Sequence, residues 1–326
     1  MRAIVFDQPG DESVLHLGAV ASPPMGPREI RIQVRATAVN RADLLQRQGL
    51  YLPPPGVSPI LGLECAGEVV AVGSEVTGWK EGDRAMALLA GGGYAEEVVV
   101  DAGSAMPVPA SFSDEEAAAT PETFITAFLN IFMLGQPSAG GAVLVHGGGS
   151  GVGTAATSLC KEAGLRVLIT AGSDEKCARC LQHGADIAIN YRTEEFAPRV
   201  REATAGKGVD VVLDCVGGRY LRANIQCLTV GGTLVVIGLS GGSRGELDLA
   251  TLLRHRLRVM GSTLRARPVA EKAAIVRSFI ARFGAALASG RVQPVIDRVL
   301  PFGQAGEGHR VLKASEHFGK VVLRVA

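Results

Sequence analysis

Gly140-Gly141-Ala142-Val143-Leu144-Val145-His146 runs into Gly147-Gly148-Gly149-Ser150-Gly151-Val152-Gly153, and that into Thr154-Ala155-Ala156-Thr157-Ser158-Leu159-Cys160-Lys161-Glu162-Ala163-Gly164. The apolar run Ala142–His146 has the character of a short strand buried on both faces. Ser150 is placed to make the first polar contact of a following helix, whose small and apolar positions are Val152, Ala155, Ala156, Leu159 and Cys160. Strand, glycine loop and helix, in that order, make a candidate phosphate site. Without Cβ atoms the loop turns tightly and admits a pyrophosphate to its N–H groups. The positive end of the helix dipole then faces the anion. A tight turn with no ligand would look the same in isolation, so the flanking sequence decides.

Outward from the loop, Arg166–Thr170 is a second apolar run, Lys176–His183 a helix, Ile187–Ile189 a third strand and Val209–Asp214 a fourth. Tyr220–Leu228 reads as helix, Thr233–Gly238 as the fifth strand and Leu257–Gly261 as the sixth. Short strands alternating with helices predict an α/β domain built on a doubly wound parallel sheet, an architecture of dinucleotide binding. Right-handed crossovers put the glycine loop at the carboxyl ends of the strands.

The chain has 326 residues, room for two domains. Its 33 basic and 32 acidic residues nearly cancel, so no nucleic acid or other polyanionic partner is indicated. Hydrophobic residues make up 47% and aromatics only 5%, a Val-, Ala-, Leu- and Gly-rich balance that suits an α/β protein. No apolar run is long enough to span a bilayer. Met1–Phe6 reads as a strand and not as a leader, so a soluble, cytoplasmic protein is expected. Cys65, Cys160, Cys177, Cys180, Cys215 and Cys227 are scattered through apolar contexts, which favours reduced thiols over a disulfide framework. Cys177 and Cys180 have the spacing of a metal or redox pair. They lie inside a predicted helix without a second pair, and so read as buried helix positions.

Arg2–Asp7 and Glu29–Ala38 look like strands; in the second, Ile30, Ile32, Val34 and Ala36 alternate with Arg31, Gln33 and Arg35. A loop and short helix follow at Val39–Asp43, and residues 51–59 are proline-rich and irregular. Ile60–Gly73, Arg84–Leu89 and Glu97–Val100 add strands with glycine turns, which predicts a small β-barrel-like domain. Ser113 and Glu116 have capping-box spacing, and Pro121–Phe132 is a helix leading into the dinucleotide domain. Beyond the sixth strand come a helix within Arg267–Gly290, a strand Val292–Leu300, a further helix, and the strand Lys320–Val325. These have no place in the parallel sheet. They are expected to return to the first domain, making it discontinuous: 1–120 and 265–326 around 121–264.

Gly62-Leu63-Glu64, Gly67, Val69, Val72-Gly73 and Gly82-Asp83, with the glycine loop after Val145-His146, resemble the medium-chain dehydrogenase/reductase superfamily. Asn40-Arg41-Ala42-Asp43-Leu44-Leu45-Gln46-Arg47-Gln48-Gly49, Pro53-Pro54-Pro55-Gly56, Ala85–Leu89, Leu213–Gly218 and Gly319–Leu323 are similar to its zinc-free quinone oxidoreductases, in particular the p53-inducible branch. The resemblance covers nearly the whole chain. It implies a GroES-like β-barrel catalytic domain, a Rossmann NADPH-binding domain, and a homodimer or tetramer. Zinc-dependent relatives carry Cys where this chain has Asn40 and His where it has Leu63, and their cysteine-rich lobe is replaced by Gly91-Gly92-Gly93. A catalytic zinc needs three protein ligands, so no metal is expected.

Alcohol dehydrogenation calls for a Lewis acid to stabilise alkoxide charge. A quinone spreads that charge over its ring and oxygens, so positioning against the nicotinamide supplies most of the catalysis. The resemblance therefore implies NADPH-dependent reduction of a quinone. An enoyl or alkenal reductase and a non-enzymatic, crystallin-like or adaptor NADPH-binding protein are the rival readings. On the family's pattern Asn40 orients substrate or nicotinamide. Tyr51 is either a proton donor or a wall of the site, and Thr126 either reaches the nicotinamide end or back-bonds to its own helix. Gly148, Ser150, Gly151, Val152 and Gly153 belong to the phosphate loop, Gly238-Leu239-Ser240 to the nicotinamide end, and Cys215 is a further cofactor-binding position. Lys320 either neutralises cofactor phosphate or is an exposed lysine.

NADPH is expected over NADH. In NAD-dependent domains an acidic residue at the end of the second strand binds the ribose 2′-hydroxyl. Here that strand ends in Thr170-Ala171-Gly172-Ser173, small and neutral. Ser173 can donate to a 2′-phosphate, Lys176 lies in the next helix's first turn, and Tyr191 resembles the family's phosphate-contacting tyrosine. Asp174 is expected to turn outward. Leu257–Leu264, the last strand, is an apolar edge expected to pair with a two-fold mate.

Overall fold

The structure, a computed structural model, describes residues 1–325. The chain divides into two compact units: Thr126–Thr263, and Met1–Ile125 with the segment from Leu264 onward.

In the Thr126–Thr263 unit one parallel sheet runs from edge to edge through Ile187–Asn190, Arg166–Ala171, Ala142–His146, Val209–Asp214, Leu228–Val236 and Arg258–Gly261. The chain starts at the third position, moves out to one edge, then crosses to the other half. That is the strand order of a doubly wound dinucleotide fold. Leu144, Leu168, Ile189, Val212 and Leu234 form one layer against Phe196, Val200 and Ile225. Val143, Val145, Val167 and Ile169, on the opposite face, are buried too, which is why these strands read as unbroken apolar runs.

Helices Gly151–Glu162, Asp174–Gln182, Phe196–Ala203, Leu221–Cys227 and Leu249–Arg254 make the connections. Phe196–Ala203 and Leu249–Arg254 were not legible in the sequence. The first buries only Phe196, Ala197 and Val200, and the second buries no residue, so neither carries a long apolar stripe. The predicted helix Pro121–Phe132 is α-helical only over Pro121–Phe128 and continues as a π-helical turn, Leu129–Gly135. The Asn130 side-chain amide donates to the Thr126 carbonyl at 2.7 Å. It takes the acceptor that a continued α-helix would give to the Asn130 N–H.

In the other unit Glu29–Ala38 is the central strand. One side pairs antiparallel with Glu64–Val72. The other is shared: residues 29–33 pair with Glu97–Asp101, and residues 36–38 with Lys320–Arg324. Arg84–Leu88 and Ala105–Pro107 extend the sheet in one direction and Ile296–Pro301 in the other. A strand from the end of the chain thus completes a sheet begun near its start. Ile30, Ile32, Val34 and Ala36 are buried as their alternation requires, while Arg31 pairs with Glu97 at 2.9 Å on the other face. Gly67 lets the two central strands approach closely, because a Cβ there would overlap the Gln33 carbonyl oxygen. Ser113 Oγ accepts from the Glu116 N–H at 3.2 Å and Glu116 Oε2 from the Ser113 N–H at 2.8 Å, the reciprocal cap read from the spacing.

Among the described residues no helix is long and apolar enough to cross a membrane. Cys177 and Cys180 are buried within helix Asp174–Gln182. Burial pushes the Cys180 thiol up to about 12, which leaves it inert at neutral pH.

Candidate functional site

The parallel sheet delivers Ala142–His146 into the glycine loop, and helix Gly151–Glu162 leaves it. Ser150 caps that helix, its Oγ accepting from the Gly153 N–H at 3.0 Å. Gly151 and Val152, at the helix start, present N–H groups that have no intrahelical acceptor. Gly153 brings the first helical turn directly onto the loop, since a Cβ there would overlap the Gly147 carbonyl oxygen and lie 2.6 Å from that of Gly148. The result is a cradle of backbone donors at the positive end of a helix dipole, which fits a pyrophosphate.

His146, the last residue of the strand, was passed over in the sequence. Its Nε2 meets Asn224 Oδ1 at 2.7 Å, so Nε2 carries the proton. Nδ1 then accepts from the Thr170 hydroxyl at 2.9 Å. Burial lowers its pKa to about 4, so the ring is neutral. It ties the ends of two neighbouring strands together beneath the loop.

Gly172, Ser173 and Tyr191 come together at the end of the second strand. The Tyr191 hydroxyl oxygen lies 2.6 Å from where a Gly172 Cβ would sit. Ser173 caps helix Asp174–Gln182, its Oγ accepting from the Lys176 N–H at 3.2 Å. Asp174 does not simply turn outward: its Oδ1 accepts from Asn190 Nδ2 at 2.7 Å. Cys215 and Gly238-Leu239-Ser240 also meet. Ser240 Oγ donates to the Cys215 carbonyl at 3.0 Å, and Cys215 Sγ lies 3.6 Å from the His146 carbonyl oxygen. Thr126 is half-buried on helix Pro121–Phe128, its carbonyl engaged by Asn130.

The second polar centre lies in the mixed-sheet unit and contains residues that the sequence reading assigned differently. Lys320 is not a phosphate ligand and not exposed. It is 3% exposed, and its ammonium donates to Val39 O at 3.1 Å, Asn40 Oδ1 at 2.7 Å and Glu64 Oε1 at 2.7 Å. All three of its N–H bonds are spent. Asn40 is likewise committed. Its Nδ2 donates to Glu64 Oε1 at 2.8 Å and to Ala38 O at 3.2 Å, so it positions Glu64 and Lys320 rather than offering an N–H to substrate or nicotinamide. Glu64, part of the Gly62-Leu63-Glu64 motif, is the acceptor at the heart of this cluster. A charged residue inside an apolar strand was the signal that could have found it.

Behind this cluster runs a chain of buried polar groups with a fixed polarity. Arg47 only donates, so His309 Nδ1, 3.2 Å from Arg47 Nη1, is an acceptor and Nε2 carries the proton. Nε2–H therefore donates to the Tyr94 hydroxyl at 3.2 Å, and that hydroxyl to Asp43 Oδ2 at 3.3 Å. Burial and the adjacent Arg47 charge hold His309 down at about 3. Asp43 also accepts from the N–H groups of Asn40 at 2.8 Å and Gly62 at 3.0 Å, which anchors the start of helix Arg41–Arg47.

Tyr51 sits on the irregular loop with the Arg265 guanidinium 5.3 Å from its ring centroid. Arg265 also donates to Ala90 O and Gln46 Oε1, each at 2.6 Å, and Gln46 Nε2 donates to Pro59 O at 2.7 Å. The two side chains thereby clasp the loop at both ends. Burial raises the Tyr51 phenol above its ordinary value, with Arg265 opposing.

These residues do not fit zinc. Leu63 offers no lone pair, and the Lys320 ammonium already occupies the oxygens of Asn40 and Glu64. Among the described residues no group of three or more His, Cys, Asp or Glu side chains is arranged to hold a metal ion.

The chain matches the alcohol dehydrogenase GroES-like domain over residues 26–110 and the zinc-binding dehydrogenase family over 151–280. It is 32% identical to the human synaptic vesicle membrane protein VAT-1 homolog, over 96% of this chain and 83% of that protein. It is 34% identical to the mycocerosic acid synthase-like polyketide synthase of Mycobacterium tuberculosis over 97% of this chain, but spans only 15% of that protein. The solved Escherichia coli quinone oxidoreductase complexed with NADPH has a TM-score of 0.89 and 29% identity, with 100% of each chain covered. A GroES-like sheet and a doubly wound dinucleotide sheet in one chain define an oxidoreductase class. Within it, the chain belongs to the medium-chain dehydrogenase/reductase superfamily, and quinone oxidoreductases are among its homologues.

Proposed function

We propose that the protein is an NADPH-dependent reductase that reduces a quinone without a metal. The observation that carries this reading is the Lys320 ammonium seated among the Asn40 and Glu64 oxygens, where a metal-dependent site would need ligands. NADPH, when bound, supplies a hydride. The glycine loop and the first turn of helix Gly151–Glu162 bind its pyrophosphate, and Gly172, Ser173, Lys176 and Tyr191 receive its 2′-phosphate. Cys215 and Gly238-Leu239-Ser240 present backbone groups to the nicotinamide. Tyr51, braced by Arg265, bounds the acceptor. The quinone reading is further supported by the likeness to the Escherichia coli enzyme.

A second reading is reduction of an enone, which leaves an enolate and calls more strongly for an acid such as Tyr51. A non-enzymatic role is the third. A panel of acceptors with NADPH and a chelator separates them. Oxidation of NADPH by 1,4-naphthoquinone, undiminished by EDTA, is expected. Turnover of trans-2-enones alone favours the second reading, turnover of nothing the third, and loss of activity with released zinc overturns the metal-free claim.

The protein is also expected to be a homodimer. Strand Arg258–Gly261 is an edge of the parallel sheet, with Val259 39% exposed and Leu253, on the preceding helix, 78% exposed. An apolar edge of this kind invites pairing with its two-fold mate. Light scattering at low micromolar concentration should give twice the 33.8 kDa of one chain; a single species of one chain's mass would contradict it.

A further inference from the structure

We infer that Asn190 sets the choice of NADPH over NADH by holding the Asp174 carboxylate away from the 2′-phosphate. The inference rests on the reading above that Gly172, Ser173, Lys176 and Tyr191 receive that phosphate. Asp174 is the feature of this region that argues against it. Strand Arg166–Ala171 ends without the acid that binds a ribose 2′-hydroxyl in NAD-dependent domains, but Asp174 follows three residues later, next to Ser173 in the chain. A free carboxylate there serves NADH, as an acceptor for the 2′-hydroxyl, and opposes NADPH, as a like charge.

The structure gives that carboxylate another partner. Asn190 ends strand Ile187–Asn190, where it pairs with Ala171. It is 6% exposed, and both ends of its amide are committed. Nδ2 donates to Asp174 Oδ1 at 2.7 Å, and Oδ1 accepts from the Arg192 N–H at 3.1 Å. A carboxylate only accepts and a backbone N–H only donates, so the amide has one orientation. The Asn190 carbonyl accepts from the N–H groups of Thr193 and Glu194 at 3.1 and 2.9 Å, and the Tyr191 N–H donates to Ala171 O at 3.1 Å. One side chain thus joins the helix start after the second strand of this sheet to the turn after the third. Tyr191 lies in that turn, its hydroxyl 2.6 Å from where a Gly172 Cβ would sit. All of these residues belong to the Thr126–Thr263 unit.

Asp174 itself is exposed, so this hydrogen bond, and not packing, fixes its side chain. Helix Asp174–Gln182 begins there, and the positive end of its dipole favours a negative charge in the first turn. Carboxylate and phosphate compete for that end. With Asn190 in place the carboxylate is drawn to the end of the third strand; without it the carboxylate is released beside Ser173. A carboxylate about 6 Å from a phosphate dianion costs on the order of tenfold in affinity even at the dielectric of water. Asn190 therefore acts on specificity by restraining a repulsive group, while making no contact with the cofactor itself. It is a positioning residue.

The test is Asn190→Leu, close in volume and unable to hold the carboxylate, with Kd for NADPH and NADH read from the fluorescence of each cofactor. NADPH is expected to weaken about tenfold, and NADH to weaken by less than about twofold or to tighten. Asn190→Leu combined with Asp174→Ala should bind NADPH within about threefold of Asp174→Ala alone, because no carboxylate is left to release. Asn190→Asp keeps an acceptor for the Arg192 N–H and sets a second carboxylate against Asp174. It should show the same split between the cofactors, and it carries the test if Asn190→Leu does not fold. An amide that only braced the two strand ends would, when lost, weaken both cofactors alike, and removing Asp174 would not repair the loss. Either of those results overturns the role of Asn190, and a wild type that still prefers NADPH leaves the phosphate site standing. A wild type that binds NADPH no more tightly than NADH overturns the phosphate site and this inference with it.

Discussion

Lys320→Met is expected to destabilise the mixed-sheet unit by about 3–5 kcal/mol, the cost of stranding a buried charge. The Lys320 and Glu64 side chains are 4% and 0% exposed and lie 2.7 Å apart. Without the ammonium, Glu64 keeps only the Asn40 amide and the Glu122 N–H as donors. Its charge must then be neutralised by a proton or pulled toward water, and either disturbs the pairing of Lys320–Arg324 with Glu29–Ala38. Adding Glu64→Gln to Lys320→Met removes the stranded charge and should recover at least half of the loss. The midpoint of thermal unfolding measures both. A fall in stability below about 1 kcal/mol for the single variant would mean that the pair is as weak as an exposed one. Equal stability of the single and double variants would mean that the charge is not what matters.

Gly153→Val is expected to weaken NADPH binding by about a hundredfold. The helix Gly151–Glu162 and the loop meet backbone to backbone at this position, and neither the Gly147 nor the Gly148 carbonyl can swing away as a flexible side chain would. A branched side chain must push the helix off the loop, at a cost in the range of overpacked cores, about 1–3 kcal/mol. The dipole end and its N–H groups move with it, so the loss falls on the cofactor's pyrophosphate. Titration of NADPH fluorescence measures it, and NADH should weaken in parallel because both carry the same pyrophosphate. Binding within threefold of wild type would remove the glycine loop from the phosphate site.

What the sequence disclosed follows from how the two units use their residues. The parallel sheet is buried on both faces, so Val143–Val145, Val167–Ile169 and Val211–Leu213 are unbroken apolar runs that could be read one after another. The alternation of Ile30, Ile32, Val34 and Ala36 was as plain. Helix Leu249–Arg254 buries nothing and left no stripe to find. The glycine loop with its Ser150 cap was legible because its geometry is local: loop, cap and helix start lie within a few residues. The Lys320 centre was not, because it is assembled from Asn40, Glu64, Glu122 and Lys320, which are far apart in the chain. Seen singly, Lys320 before a strand looks like an exposed lysine or a phosphate ligand. Only the strand pairing of Lys320–Arg324 with Glu29–Ala38 turns it inward onto Glu64. Arg47 and His309 were hidden for the same reason, each meaningful only through the other.

The central claim is that this chain binds NADPH by its 2′-phosphate and uses it to reduce a quinone. The most direct measurement is kcat/KM for oxidation of NADPH and of NADH by 1,4-naphthoquinone, followed at 340 nm, for the wild-type protein and for Lys176→Ala. A charge-assisted hydrogen bond contributes about 1.5–3 kcal/mol. The wild type should therefore prefer NADPH by at least about tenfold, and Lys176→Ala should lose about ten- to a hundredfold with NADPH while barely changing with NADH. A wild-type preference for NADH, equal losses with both cofactors, or no oxidation of NADPH by the quinone would contradict the account.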